Sequence, residues 1–151
     1  MAINYREKII ALWTVFLLGT LFHTQLGLMP LFHGLSVAES QKATTMNEIS
    51  GIMWLMLGFF VLPMLAIIAT AFTDAKRYRV IHFSLTIVYS VLNLLHLILD
   101  LMVTPVFWYQ IALMVLLFGV GLLLNFVAYQ WLRSPHEKGR QWTEPLTQSH
   151  S

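Results

Sequence analysis

Six polar side chains follow one another along a single apolar stretch of the sequence. Their spacing of 4, 3, 4, 3 and 4 residues places all of them on one face of an α-helix whose other residues are mostly Leu, Ile and Val. These side chains are His82, Thr86, Tyr89, Asn93, His96 and Asp100. Because a polar stripe is costly in contact with lipid, we predict that it faces other helices, a water-filled cavity or a cofactor.

His23, in an earlier apolar stretch, is expected at the same depth as His96. His23 lies 14 residues after Ile9, and His96 lies 15 residues after Ile81. At about 1.5 Å per residue, both stand roughly 21 to 23 Å above the ends at which their helices begin. Since the first and third helices of an up-down bundle are parallel and diagonal, the two imidazoles can face a common centre.

One candidate for this centre is a b-type haem with His23 and His96 as its axial ligands. Gly19 and Gly27 stand one turn on either side of His23, which leaves room for a flat macrocycle or for a closely packed helix. Four helices with intramembrane histidines resemble the general layout of small membrane cytochromes b. That resemblance implies electron transfer.

The other candidate is a transition-metal ion. Imidazole and carboxylate ligands together suit copper, iron, zinc or manganese, and the predicted ligand set is His23, His33, His96, Asp100 and Glu48. Asp100 follows His96 by one helical turn, so it either binds the same ion or fixes the tautomer of the imidazole. A purely structural interpretation also stays open, in which the stripe forms hydrogen bonds between helices, at roughly 0.6 kcal/mol each.

The composition indicates that lipid is the main solvent of this chain. Of its 151 residues, 58% are hydrophobic and 11% are charged, whereas a soluble domain carries about 25% charged residues. The sequence has no cysteine, which excludes disulfides and thiolate ligands. It also has no nucleotide-binding motif, and we expect no nucleic acid as a partner.

Four apolar stretches are each long enough to cross a bilayer, which takes about 20 residues. They predict an all-α integral membrane protein with a four-helix up-down bundle over residues 1–132 and a polar cytoplasmic tail over 133–151. We expect Pro30 to end the first stretch at Met29, because proline cannot donate to the helix ladder. The spans are expected at about 9–29, 49–72, 80–103 and 109–132.

Basic residues orient the bundle. All but Lys42 lie on the side of the two termini, and the positive-inside rule therefore predicts cytoplasmic N and C termini. Those on that side are Arg6, Lys8, Lys76, Arg77, Arg79, Arg133, Lys138 and Arg140. A bacterial inner membrane and a thylakoid-type membrane both fit this arrangement.

These features favour a small redox or metal-binding membrane protein with a histidine-ligated centre near the outer face. We expect it to act in electron transfer, with a quinone or a larger membrane complex as its partner. Two alternatives remain open from the sequence. One is an accessory or assembly subunit of a membrane complex, and the other is a carrier of protons or metal ions along the stripe.

Overall fold

The structure, a computed structural model, describes residues 4–37 and 43–135. Its described part is all-helical, as predicted, and each of the four helices is long and apolar enough to cross a membrane. The rest of the predicted tail, residues 136–151, lies outside the described residues. The helices are α1 (Tyr5–Phe32), α2 (Met46–Phe72), α3 (Lys76–Met102) and α4 (Trp108–Arg133).

The helix α1 ends at a glycine turn rather than at Pro30. Pro30 lies inside the last turn, so the prediction that the helix stops at Met29 is wrong. Gly34 adopts a positive φ of 75°, and its amide donates to the Leu31 carbonyl, while the Leu35 amide donates to the Pro30 carbonyl. This Schellman motif satisfies the carbonyls of Pro30 and Leu31 at the helix end. Proline is compatible with the motif because its carbonyl can accept a hydrogen bond, although its nitrogen cannot donate one.

Contacts at the helix ends establish an up-down order. Arg6, at the start of α1, donates from Nε to the carbonyl of Thr70 at the end of α2, over 2.8 Å. Trp13 of α1 donates from Nε1 to Nε2 of His82 in α3, over 2.9 Å. Consecutive helices are therefore antiparallel, and α1 and α3 run parallel, as the prediction for a bundle requires.

Arg79 joins α3 to the end of α4. Its guanidinium donates to both carboxylate oxygens of Asp74 at 2.8 Å, and also to the carbonyls of Trp131 at 2.8 Å and Ser134 at 2.9 Å. The same group lies 5.2 Å from the centre of the Trp131 ring. Charge-assisted hydrogen bonds of this kind are about twice as strong as neutral ones, so they hold the helix ends in register.

All basic residues in the described ranges lie at the same end of the bundle, which we call the basic end. The opposite end holds the turn after α1 and the connection between α3 and α4. The residues at the basic end are Arg6, Lys8, Lys76, Arg77, Arg79 and Arg133.

The packed core lies in the half of the bundle near the basic end. There, α1 and α2 contribute all of their buried residues, and α3 contributes those up to Tyr89, with Ser90 and Asn93 just beyond its midpoint. The buried residues of α4 extend along most of the helix. In α2, the whole stretch 51–57 is exposed. The buried residues of α1 and α2 are Ile9, Trp13, Phe16, Pro63, Ala66 and Thr70. The bundle is thus closely packed at the basic end and more open towards the opposite end.

Gly19 allows α1 to approach α4 closely. A Cβ atom at this position would overlap a methyl group of Leu117, whose side chain is only 1% exposed and has little room to move. Gly58 on α2 has no atom within 4 Å of the corresponding position. The two glycines therefore differ in what a side chain would meet, although both lie inside helices.

We expect Gly19→Ala to lower the free energy of unfolding by about 1–3 kcal/mol, because it overpacks the contact with Leu117. The matched control, Gly58→Ala, should be neutral or stabilising by up to about 1 kcal/mol, since alanine favours the helix. Thermal unfolding of the two purified variants in detergent measures the difference. Equal melting temperatures would contradict the close contact between α1 and α4.

Candidate metal centre

Three side chains of types that bind metals meet in the half of the bundle towards the opposite end. One ligand atom from each of His23, His96 and Asp100 lies within 4.8 Å of the others. The Nε2 atom of His23 is 3.2 Å from Oδ2 of Asp100, and the Nε2 atom of His96 is 3.6 Å from Oδ1. The two imidazole centroids are 5.3 Å apart. The structure thus brings His23 and His96 to one level, as the helix rise predicted.

The closest pair in this group consists of atoms that lack other partners. Nε2 of His23 and Oδ2 of Asp100 are both buried, and neither has a hydrogen-bond partner among the described residues. Their separation of 3.2 Å is within the range of a His–Asp ion pair. Buried polar atoms are costly when they are unsatisfied, so this pair is suited to share a bound cation.

The distances also suit a single ion. Two ligands that each lie about 2.1 Å from one ion are about 3 to 3.4 Å apart in octahedral or tetrahedral geometry. The two closest separations, 3.2 Å to Oδ2 and 3.6 Å to Oδ1 of Asp100, are close to that range, and one ligand atom from each of the three residues lies within 4.8 Å of the others. Two histidines and one carboxylate form the donor set of non-haem iron centres, and related sets bind zinc and copper.

The three ligand candidates differ in exposure. The side chains of His23 and Asp100 are 12% and 20% exposed, whereas that of His96 is 54% exposed. His96 and Asp100 stand one turn apart on α3, and His23 approaches them from α1. The centre therefore has a sheltered side, formed by the His23–Asp100 pair, and an accessible side at His96.

This geometry suits an ion better than a haem between the same imidazoles. Axial ligands approach a haem from opposite faces, but here the carboxylate of Asp100 lies close to both Nε2 atoms. Side chains of α4 approach both glycines beside His23. Leu117 packs against Gly19, and the amide of Gln110 lies close to Gly27. Gly19 therefore serves helix packing, the second of the two predicted roles, whereas Gly27 also borders a cavity.

His33 and Glu48, two further predicted ligands, are not in this group of three. His33 is the exposed C-terminal cap of α1. Glu48 is also exposed, and its carboxylate accepts hydrogen bonds from the amide of Thr44 and from the hydroxyls of Thr44 and Thr45. These bonds tie the carboxylate to the two residues that precede α2. The ligand roles of both residues stay predictions.

The part of the polar stripe nearer the basic end faces the other helices, as predicted. His82, Thr86, Tyr89 and Asn93 are buried, with exposed fractions of at most 5%. The hydroxyl of Tyr89 donates to the carbonyl of Phe59 in α2, over 2.7 Å, which joins two helices. The stripe therefore has two parts. The part nearer the basic end is buried and structural, and the part nearer the opposite end contributes His96 and Asp100.

The sequence does not predict the hydrogen-bond partner of His82. Trp13 is fully buried, and it donates a hydrogen bond to His82 across the bundle. The rings of Tyr78 and Trp131 also surround His82, with centroids 5.9 and 5.7 Å away. A tryptophan in an apolar stretch looks like an ordinary core or interfacial residue, and its partner is 69 residues away. Nothing in the local sequence signals the pair.

We expect Trp13→Phe to lower the free energy of unfolding by about 1–3 kcal/mol, because it leaves Nε2 of buried His82 without a donor. The affinity for the metal should be unchanged, since Trp13 and His82 lie much nearer the basic end than His23 does. The matched control is Trp54→Phe, where the tryptophan is 72% exposed. Thermal unfolding in detergent checks the prediction, and equal stability of both variants would contradict a structural role for the Trp13–His82 bond.

A comparison of the chain with models of protein families, with curated proteins and with solved structures finds no match in any of the three.

Proposed function

We propose that this protein crosses a bilayer four times and binds a transition-metal ion through His23, His96 and Asp100. The observation that carries the proposal is the close approach of three ligand atoms from two different helices, within 4.8 Å of one another. Two of these side chains offer buried atoms without hydrogen-bond partners among the described residues. A cation would satisfy both atoms, which otherwise face only each other as a His–Asp pair 3.2 Å apart.

The proposed membrane orientation rests on charge. The described basic residues gather at one end of the bundle, so the positive-inside rule makes that end cytoplasmic. Both chain termini then lie in the cytoplasm, and the metal centre lies nearer the outer face. This topology is compatible with a bacterial inner membrane or a thylakoid-type membrane.

Introduced cysteines test the orientation, because the natural chain contains none. Ala43 precedes α2 and Ala75 precedes α3, and both are exposed. In intact cells, a membrane-impermeant maleimide should label Ala43→Cys but label Ala75→Cys only after permeabilisation. The reverse pattern would overturn the orientation, and labelling of both variants in intact cells would contradict the four-span topology.

The donor set limits the chemistry of the centre. A divalent ion together with the Asp100 carboxylate and two neutral imidazoles carries a net charge of about +1, far less costly in apolar surroundings than the free ion. Copper and iron can change oxidation state in such a site, so either metal supports the predicted role in electron transfer. Zinc cannot, and it would make the centre structural or hydrolytic.

Ligand variants test the centre directly. We expect His23→Ala, His96→Ala and Asp100→Asn each to lower metal affinity by roughly 100-fold or more, because even residues behind the ligands commonly contribute 10–100-fold. The measurement is elemental analysis of detergent-purified protein, followed by titration of metal-depleted protein with copper, iron and zinc. Full metal content in any of the three variants would contradict the proposed ligand set.

Two other histidines provide matched controls. His33→Ala should retain the metal because His33 is an exposed helix cap outside the group of three. His136→Ala, in the part of the chain outside the described residues, should retain it as well. If His33→Ala loses as much affinity as His23→Ala, the three-residue site is wrong. Absorbance spectra before and after dithionite reduction detect haem, and a haem spectrum that depends on His23 and His96 would replace the ion.

A protein that holds neither metal nor haem would contradict the proposed metal centre. The function favoured in that case is an accessory or assembly subunit, in which the polar side chains only fix the packing of the helices.

A further inference from the structure

A cavity of about 400 Å³ lies at the opposite end of the bundle, beside the metal centre. Asp100 lines this cavity and also belongs to the group of metal ligands. Gly27, one turn beyond His23, is part of the same wall. The volume is within the range of about 300–1,000 Å³ that is typical of small-molecule sites.

The turn that ends α1 builds one wall of the cavity. Its Schellman motif directs the chain back over the helix end, and Pro30 and Leu35, which the motif joins by a hydrogen bond, both line the cavity. Val103 and Phe107, from the connection between α3 and α4, form the facing wall. These wall residues are apolar, so the chamber suits a ligand with an apolar body.

The polar residues of the lining are Ser36, Asp100, Thr104 and Gln110, of which Asp100 belongs to the metal centre. Gln110 is at the start of α4, and its amide nitrogen is held close to Gly27. This amide can donate hydrogen bonds, whereas Asp100 supplies negative charge. No Lys or Arg lines the cavity in the described part of the chain. A bound cation would therefore be the main source of positive charge there.

Three protein ligands leave at least one coordination position of a transition-metal ion open. Zinc takes four or five ligands when it is catalytic, and the related iron centres take up to six. Asp100 is the one of the three ligand candidates that lines the cavity, so an open position on its side of the ion would face the cavity. The net charge of about +1 favours an anionic oxygen donor at that position, and the apolar walls favour a small hydrocarbon group behind it.

We propose that the cavity binds a small organic carboxylate whose oxygen completes the coordination of the ion. This inference rests on the proposed metal site and adds the chemical class of its ligand. The carboxylate binds the ion, the Gln110 amide donates to it, and the apolar part lies between Leu35 and Phe107. The site is then a ligand-binding centre that is accessible from the outer face, rather than a closed structural one.

Cobalt(II) serves as the probe metal, because its visible absorption changes when a ligand is exchanged. Benzoate is the test ligand, since it combines a carboxylate with a compact apolar ring. We expect benzoate to change the spectrum of the cobalt-loaded, full-length protein in detergent in a saturable manner. Two variants fill the cavity without changing a metal ligand, Val103→Trp and Val37→Trp, because both valines line it.

Both variants should still bind one cobalt per chain, with the spectrum of the natural protein in the absence of benzoate. Their half-saturating benzoate concentration should rise at least tenfold, whereas Val115→Trp, at a 54% exposed position on α4, should leave it unchanged. Cobalt binding without a benzoate response would overturn this inference and leave the metal site intact. The same affinity in all variants would also overturn it, and failure of the natural protein to bind cobalt would refute both proposals.

Discussion

Polar side chains that leave water must find partners inside the protein, and this constraint governs the whole bundle. An unsatisfied polar group in apolar surroundings costs several kcal/mol, so a helix that carries a polar stripe has to turn it towards its neighbours. The helix α3 does so, and the positions of α1, α2 and α4 follow from it. His82 meets Trp13 of α1, Tyr89 meets the backbone of α2, and Arg79 meets the end of α4.

The two halves of the bundle differ in how closely they are packed. Near the basic end, large side chains fill the space between the helices, although Nδ1 of His82 and Oδ1 of Asn125 lack hydrogen-bond partners among the described residues. Towards the opposite end, His23 and Asp100 stand close together with buried atoms that lack hydrogen-bond partners among the described residues. The close-packed half near the basic end thus supports the other half, in which the polar atoms of His23 and Asp100 are available to a ligand. Such a division is typical of sites that a rigid scaffold holds in place.

The depth of the site along the bundle was predicted well from the sequence. Helical rise is nearly constant, so counting residues from the span ends placed His23 and His96 at one depth, and their rings are 5.3 Å apart. Periodicity likewise predicted which face of α3 is buried. Local chemistry was harder to predict at the helix ends. The Schellman turn at Gly34 allows α1 to continue through Pro30, and His33 becomes its exposed cap.

Composition and periodicity by themselves determined the number of helices, their approximate limits and the inward direction of the stripe from His82 to Asn93, because these depend on hydrophobicity and on the fixed geometry of one helix. His96, further along the same stripe, is exposed. Only the tertiary structure decided which polar groups meet. It paired Trp13 with His82, joined Asp100 to His23, and filled the space beside Gly19 with Leu117 of α4. These outcomes depend on the rotation and distance of helices that are far apart in the chain, and no local pattern encodes either quantity.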